Sequence, residues 1–206
     1  FKVLYKMESE NYLKDISEIK NLMNKSSQFI SLSGLSGAFA GIYAIIGAAY
    51  FYITTRSIRI SDFDTKDIDK ATIIFILFVI LSTLTTIIFT SIRAKSLDEK
   101  SWDAKTKNLV QAFFTPILIG LIFVLILYFN NEYNYLLALL LLFYGIGLLN
   151  AGFTTNNLVK PLGYIQVTIG LICAIKYDYT FWFFAIGFGI VHLVYGSIVY
   201  FKIDKK

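Results

Sequence analysis

Residues 71–92 read ATIIFILFVILSTLTTIIFTSI, 22 residues without a charge. An α-helix needs about 20 predominantly apolar residues to cross the ~30 Å hydrocarbon core of a bilayer. The length of this run therefore places it in lipid. Five blocks of the same kind flank it: Phe29–Thr55, Leu109–Phe129, Tyr135–Ala151, Leu158–Ile175 and Tyr179–Phe201. Short polar connections separate them. The blocks predict an all-α, polytopic membrane protein with six transmembrane helices.

Composition agrees. The chain has 206 residues, 56% hydrophobic and 16% charged, and its mean hydropathy is +0.64. Soluble domains carry about 25% charged residues. Six spans use almost the whole chain, which divides into a cytoplasmic amphipathic segment (1–28), a transmembrane domain (29–201) and a short basic tail (202–206). A sequence pI near 9.1 could suggest nucleic acid. However, the basic residues stand in loops and tails beside the spans, where they set orientation instead. With six spans both termini share a side. That side collects 14 Lys and Arg residues and the other collects five, so both termini are expected in the cytoplasm. Tyr50, Tyr52, Tyr128, Tyr133, Tyr135, Tyr177, Tyr179 and Trp182 fall at the predicted outer ends, as an aromatic belt at headgroup level would.

Asn11–Ser27 reads as an amphipathic helix. Tyr12, Ile16, Ile19 and Met23 repeat at helical spacing, opposite Lys14, Asp15, Glu18 and Lys20. It either lies along the inner membrane surface against the protein's own loops or docks a cytoplasmic protein through residues 11–27. The chain starts at Phe1, which points to Met7 as a natural start. The long charged segment before the first block is no signal peptide. In the first loop, SDFDTKDID (Ser61–Asp69) sets four carboxylates close together, but Lys66 at the fifth position and Ile73 at the twelfth break the calcium-loop pattern. It reads as a solvated acidic loop. Trp102 anchors the mixed-charge second loop at the interface. Pro116 stands inside the third span, where it can kink the helix, and Pro161 near the start of the fifth, where its missing N–H is tolerated.

Span one carries Ser33, Gly37, Gly41, Ala44 and Ala48 on one face, and span six carries Ala185, Gly189, His192 and Gly196. Small residues let helix backbones approach closely where lipid supplies no hydrophobic drive. These faces serve internal packing or a homo-oligomer through spans one or six. No acidic residue falls in the middle of a span, which argues against ion-coupled transport. The embedded polar residues are milder, and Thr83, Thr86, Gln111, Gln166, His192 and Tyr195 are the candidates to line a ligand cavity or pore. Cys173 is the one cysteine and His192 the one histidine. No intrachain disulfide and no cysteine metal cluster can form, so Cys173 reads as a small apolar residue. His192 reads chiefly as a neutral packing residue. No metal or cofactor is expected.

Gly34-Leu35-Ser36-Gly37 matches the GxSG around the nucleophile of rhomboid-type intramembrane proteases, which also place a histidine on the sixth helix. Ser36 lies about seven residues from the inner end of its span and His192 about nine, and at ~1.5 Å per residue their depths could match. Serine needs such a base to attack. The rhomboid motif, however, stands in span four and this one in span one.

Three stretches carry a family resemblance: KSSQFISLSGLSGAFAGIYAIIGA (Lys25–Ala48), DISEIKNLM (Asp15–Met23) and FWFFAIGFGIVHLVYGSIVYFK (Phe181–Lys202). Together they resemble a family of bacterial inner-membrane proteins with a six-span plan. FYGIGLLNAG (Phe143–Gly152) and VTIGLICAI (Val167–Ile175) are similar to the short Gly-punctuated spans of HdeD-type stress-resistance membrane proteins. These resemblances imply a bacterial inner-membrane location and bring no catalytic or ligand residues with them. The expected function is a non-enzymatic interaction or stress-response module in the bilayer. The alternatives are a channel or transporter for a small neutral solute and an intramembrane Ser36/His192 hydrolase.

Overall fold

The computed structural model describes residues 34–57, 59–96, 104–154 and 159–204, and all their regular structure is helical. Helix α1 spans Gly34–Thr55, α2 Thr65–Ser96, α3 Ala104–Phe129, α4 Leu136–Thr154 and α5 Lys160–Ile175. The last helix, α6, is continuous but changes pitch. It is α-helical at Thr180–Phe184, π-helical at Ala185–Ile190, α-helical at Val191–Val199 and π-helical at Tyr200–Asp204. The amphipathic helix expected at Asn11–Ser27, Ser33 of the small-residue face and Trp102 lie outside the described residues.

Several boundaries differ from the sequence reading: α2 runs on to Ser96, α3 begins at Ala104 and α4 ends at Thr154, and two further differences change how residues are read. Helix α2 begins at Thr65 rather than Ala71 and takes in half of the acidic loop. The Asp64 carboxylate caps it, accepting the Asp67 N–H at 2.8 Å, which satisfies one of the orphan N–H groups of a helix start. The other carboxylates of that stretch also have partners. Asp62 accepts from Ser57 Oγ, Asp67 pairs with Lys70 Nζ at 2.9 Å, and Asp69 accepts from the Tyr128 hydroxyl. At the far end α6 continues to Asp204, so Lys202 belongs to the last helix rather than to a tail. Lysine is a good helix former, and its stem can lie along apolar surface while the ammonium reaches the headgroups.

Five of these helices are long and apolar enough to cross a membrane, and α5 is shorter at 16 residues. The outer surface is apolar to match. Ile73, Ile80 and Ile87 on α2 are each about half exposed (58, 49 and 57%), as are Leu118, Ile122 and Ile126 on α3. Such faces are stable against lipid and not against water. This is a multi-pass membrane protein.

What holds the bundle together is close contact at glycines. Gly34 meets the backbone of Tyr200, Gly37 that of Gly196, and Gly41 that of Leu193, while Gly189 meets the Ile45 side chain. Helices α1 and α6 therefore run antiparallel, and α1 begins at the end of the bundle where α6 finishes. A Cβ on Gly41 would lie 2.6 Å from Leu193 N and 2.7 Å from Gly189 O. The second pair, α4 and α5, is built the same way. Gly152 meets Lys160, Gly145 meets Val167 and the Gly163 carbonyl, and Gly170 meets Leu142 and the Ala138 carbonyl. Helix α2 packs on α1 and α3 on α4. The buried centre draws on Ala40 and Ala44 of α1, Phe78 of α2, Leu137, Ala138 and Leu141 of α4, Cys173 of α5 and Phe188 of α6.

The contacts differ in what an added methyl would strike. Gly41→Ala and Gly145→Ala drive it into backbone and should each lower stability by about 1–3 kcal/mol. Gly47→Ala meets only the Ile74 methyl at 3.0 Å and should stay within about 0.5 kcal/mol of the parent. Unfolding in detergent followed by circular dichroism measures all three.

Candidate functional site

The buried polar chemistry gathers where α4, α5 and α6 meet. Gln166 of α5 is 0% exposed and His192 of α6 is 5% exposed. Between them stands the carbonyl of Gly187, in the first π-helical stretch of α6. A π turn sends each N–H back five residues instead of four, and the Val191 N–H accordingly donates to Ile186 O. The Gly187 carbonyl receives two side-chain donors, Gln166 Nε2 at 2.7 Å and His192 Nδ1 at 2.9 Å. On the other edge of the imidazole, Tyr144 of α4 approaches Nε2 at 2.8 Å. Phe188 and Tyr144 flank the ring, with centroids 5.9 and 5.5 Å from it.

The protonation pattern follows from what a carbonyl can do. It only accepts, so Nδ1 carries the proton. Nε2 is then the acceptor and the Tyr144 hydroxyl donates to it. Turning the Gln166 amide over would set its oxygen 2.7 Å from the Gly187 oxygen, two acceptors face to face, so the N–H side faces the carbonyl. The 3.3 Å approach of Gln166 Nε2 to His192 Nδ1 is accordingly two donors sharing one carbonyl. Gln166 Oε1 is left buried with no partner among the described residues. It lies 3.2 Å from where a Cβ on Gly187 would stand, and Leu141 Cδ2 lies 2.8 Å from the same point. A side chain at position 187 would therefore have to displace Leu141 and the Gln166 amide.

Of the six residues expected to line a cavity, the structure brings together Gln166 and His192. Thr83 is exposed on α2 and Gln111 on α3, while Thr86 and Tyr195 are half-buried. Thr86 bonds back to Ser82 O, and Thr115 bonds back to the carbonyl of Gln111. Ser36 is buried on α1, and both ring nitrogens of His192 are engaged by Gly187 and Tyr144. The small-residue faces of α1 and α6, with Gly37, Gly41, Gly189 and Gly196, meet each other within the chain. Tyr144 and Gly187 were not singled out by the sequence. The nearest signal for Tyr144 is a lone hydroxyl in the middle of the Leu-rich fourth block.

As the one histidine, His192 can be read directly. Its ¹⁵N spectrum should show a protonated Nδ1 and a bare Nε2. Tyr144→Phe should shift the Nε2 resonance and cost about 0.6–1.7 kcal/mol, the range of hydrogen bonds between membrane helices. Comparisons with known protein families, with curated proteins and with solved structures find no match.

Proposed function

We propose that this chain is a non-enzymatic, six-span protein of a bacterial inner membrane. Both termini are cytoplasmic, and it acts as an interaction or stress-response module through its surface and its N-terminal segment. The observation that carries this reading is the state of the interior. The buried polar groups most able to do chemistry, His192 and Gln166, are bonded to Gly187 and Tyr144 and hold helices together. The neutral-solute pore loses support for the same reason, because Thr83 and Gln111 face outward.

Six spans are supported by the way α5 lies along α4. Their contacts run from Gly152–Lys160 at one end to Ala138–Gly170 toward the other, so α5 follows α4 through the same depth. At about 1.5 Å per residue it covers ~24 Å, a shortfall that local thinning of the bilayer accommodates. The antiparallel α1–α6 pair supports termini on one side, and the excess of Lys and Arg on that side makes it the cytoplasm. The stress-response element rests on the likeness to HdeD-type proteins, and the partner on the amphipathic pattern of residues 11–27.

Cysteine labelling in intact cells tests the orientation, in a Cys173→Ala background. A membrane-impermeant maleimide should label Asp64→Cys and leave Lys202→Cys unlabelled, and the opposite result would reverse the topology. For the interaction, Ile16→Glu/Ile19→Glu should abolish cross-links from the N-terminal segment to a second protein while leaving the amount of folded chain unchanged. Cross-links that persist undiminished would exclude that segment as the docking element.

A further inference from the structure

Along α1 and α6 the contact changes character. From Gly34 to Gly41 the two helices meet backbone to backbone. Farther toward the other end, Ala48 and Ala49 of α1 and Ala185 of α6 are too small to fill the seam. A crevice of about 410 Å³ opens there, walled by Ile45 and closed at its mouth by Tyr52, Phe181 and Trp182. From Ile45 to Tyr52 it runs about 10 Å along the helix axis, within the depth these apolar helices give to hydrocarbon.

The mouth is different in kind. The Tyr52 hydroxyl and the Trp182 indole N–H have no hydrogen-bond partner among the described residues, and both rings are about half exposed. One turn beyond Tyr52 stands Arg56, whose N–H donates to Tyr52 O and whose φ is +56°. Arg59 follows. Neither arginine has a carboxylate within ion-pair distance among the described residues. Asp62 accepts from Ser57 Oγ at 2.8 Å and Asp178 from the Ser61 N–H at 3.3 Å. The apolar slot thus ends in a phenol and an indole with unused donors, and Arg56 stands one helical turn beyond the phenol. An amphiphile with an acyl tail and an anionic head complements that sequence of surfaces. A soluble anion would leave the slot empty, and a bare hydrocarbon would leave the donors unpaired.

We propose that this crevice seats one acyl chain of a membrane phospholipid, with its phosphate held by Arg56 and the free donors of Tyr52 and Trp182. Binding of this kind gives the protein a fixed lipid at the outer end of its α1–α6 seam.

The test titrates the purified full chain in detergent with dioleoyl phosphatidylglycerol and counts bound lipid by native mass spectrometry. One lipid should be retained above the non-specific background. Arg56→Gly removes the guanidinium at a left-handed position that glycine adopts freely, so the fold is spared. It should weaken binding about fivefold, the contribution of one basic residue at an anionic lipid surface. Ala49→Leu/Ala185→Leu fills the slot and should weaken it at least as much. Dioleoylglycerol, which lacks the phosphate, should bind the parent chain about as weakly as phosphatidylglycerol binds the Arg56 variant. Equal uptake by all variants would mean annular lipid only and would overturn the proposal. So would displacement by glycerol phosphate alone, which would make the mouth a free-anion site. A change of oligomeric state in the Leu variant with unchanged lipid uptake would make the crevice the seat of another helix, and would overturn it too.

Discussion

Helices that are apolar on every side have no hydrophobic reason to associate in lipid, because the tails solvate leucine and isoleucine as well as a neighbouring helix does. Contact must come from atoms brought close enough for dispersion to accumulate. Everything else in this bundle depends on how the chain meets that condition. Two antiparallel pairs, α1 with α6 and α4 with α5, touch at glycines where a single methyl would collide with backbone. The remaining helices, α2 and α3, pack on the outside of these pairs and leave most of their length to lipid. Their attachment adds polar and aromatic links, such as Tyr43 with Thr85 at 3.1 Å and the Phe75–Phe78–Phe184–Phe188 ring cluster.

The polar cluster is the second consequence of the same solvent. A carbonyl exposed by a π turn in hydrocarbon would be costly, and in α6 it is covered by donors from the helix itself and from α5. His192 reaches back from its own helix, Gln166 crosses from α5, and Tyr144 from α4 fixes the far side of the imidazole. Three helices are thereby tied at one depth. The arrangement also explains why Gly187 and Gln166 belong together. The missing side chain at 187 makes room for the amide oxygen, at the cost of leaving that oxygen without a donor among the described residues.

How much of this could be read from the chain depends on whether a residue's role is local. The lengths of the blocks are local, so the spans were legible apart from their ends. The small-residue faces of α1 and α6 were legible because Gly37 and Gly41, and Gly189 and Gly196, recur on one side of each helix, but that they face each other was not. The α4–α5 seam was passed over, although Gly145 and Gly152 lie seven residues apart on one face and Gly163 and Gly170 answer them at the same spacing. The π stretch was hidden, since a shift from four residues to five leaves no mark in composition. Among the polar residues, sequence showed which were polar and could not show which faced inward. A threonine in a span satisfies itself by bonding back one turn, as Thr85 does to Leu81 O and Thr168 to Tyr164 O. It therefore places no demand on its neighbours. Gln166 and His192, in the middle of their helices, have too many groups for that, and the structure joins them, while Gln111 near the start of α3 is exposed.

The same reasoning separates the interior from the rim. A donor in the middle of the membrane must find a protein partner, and Gln166, His192 and Tyr144 have done so. A donor at the headgroup level is under no such pressure, because water and lipid phosphates stand in for a partner. Free donors at Tyr52, Trp182 and Arg56 are therefore stable where they are, and a free imidazole at the depth of His192 would not be. Where the buried donors of Gln166, His192 and Tyr144 are paired in this way, selective recognition has its opportunity at the ends of the helices.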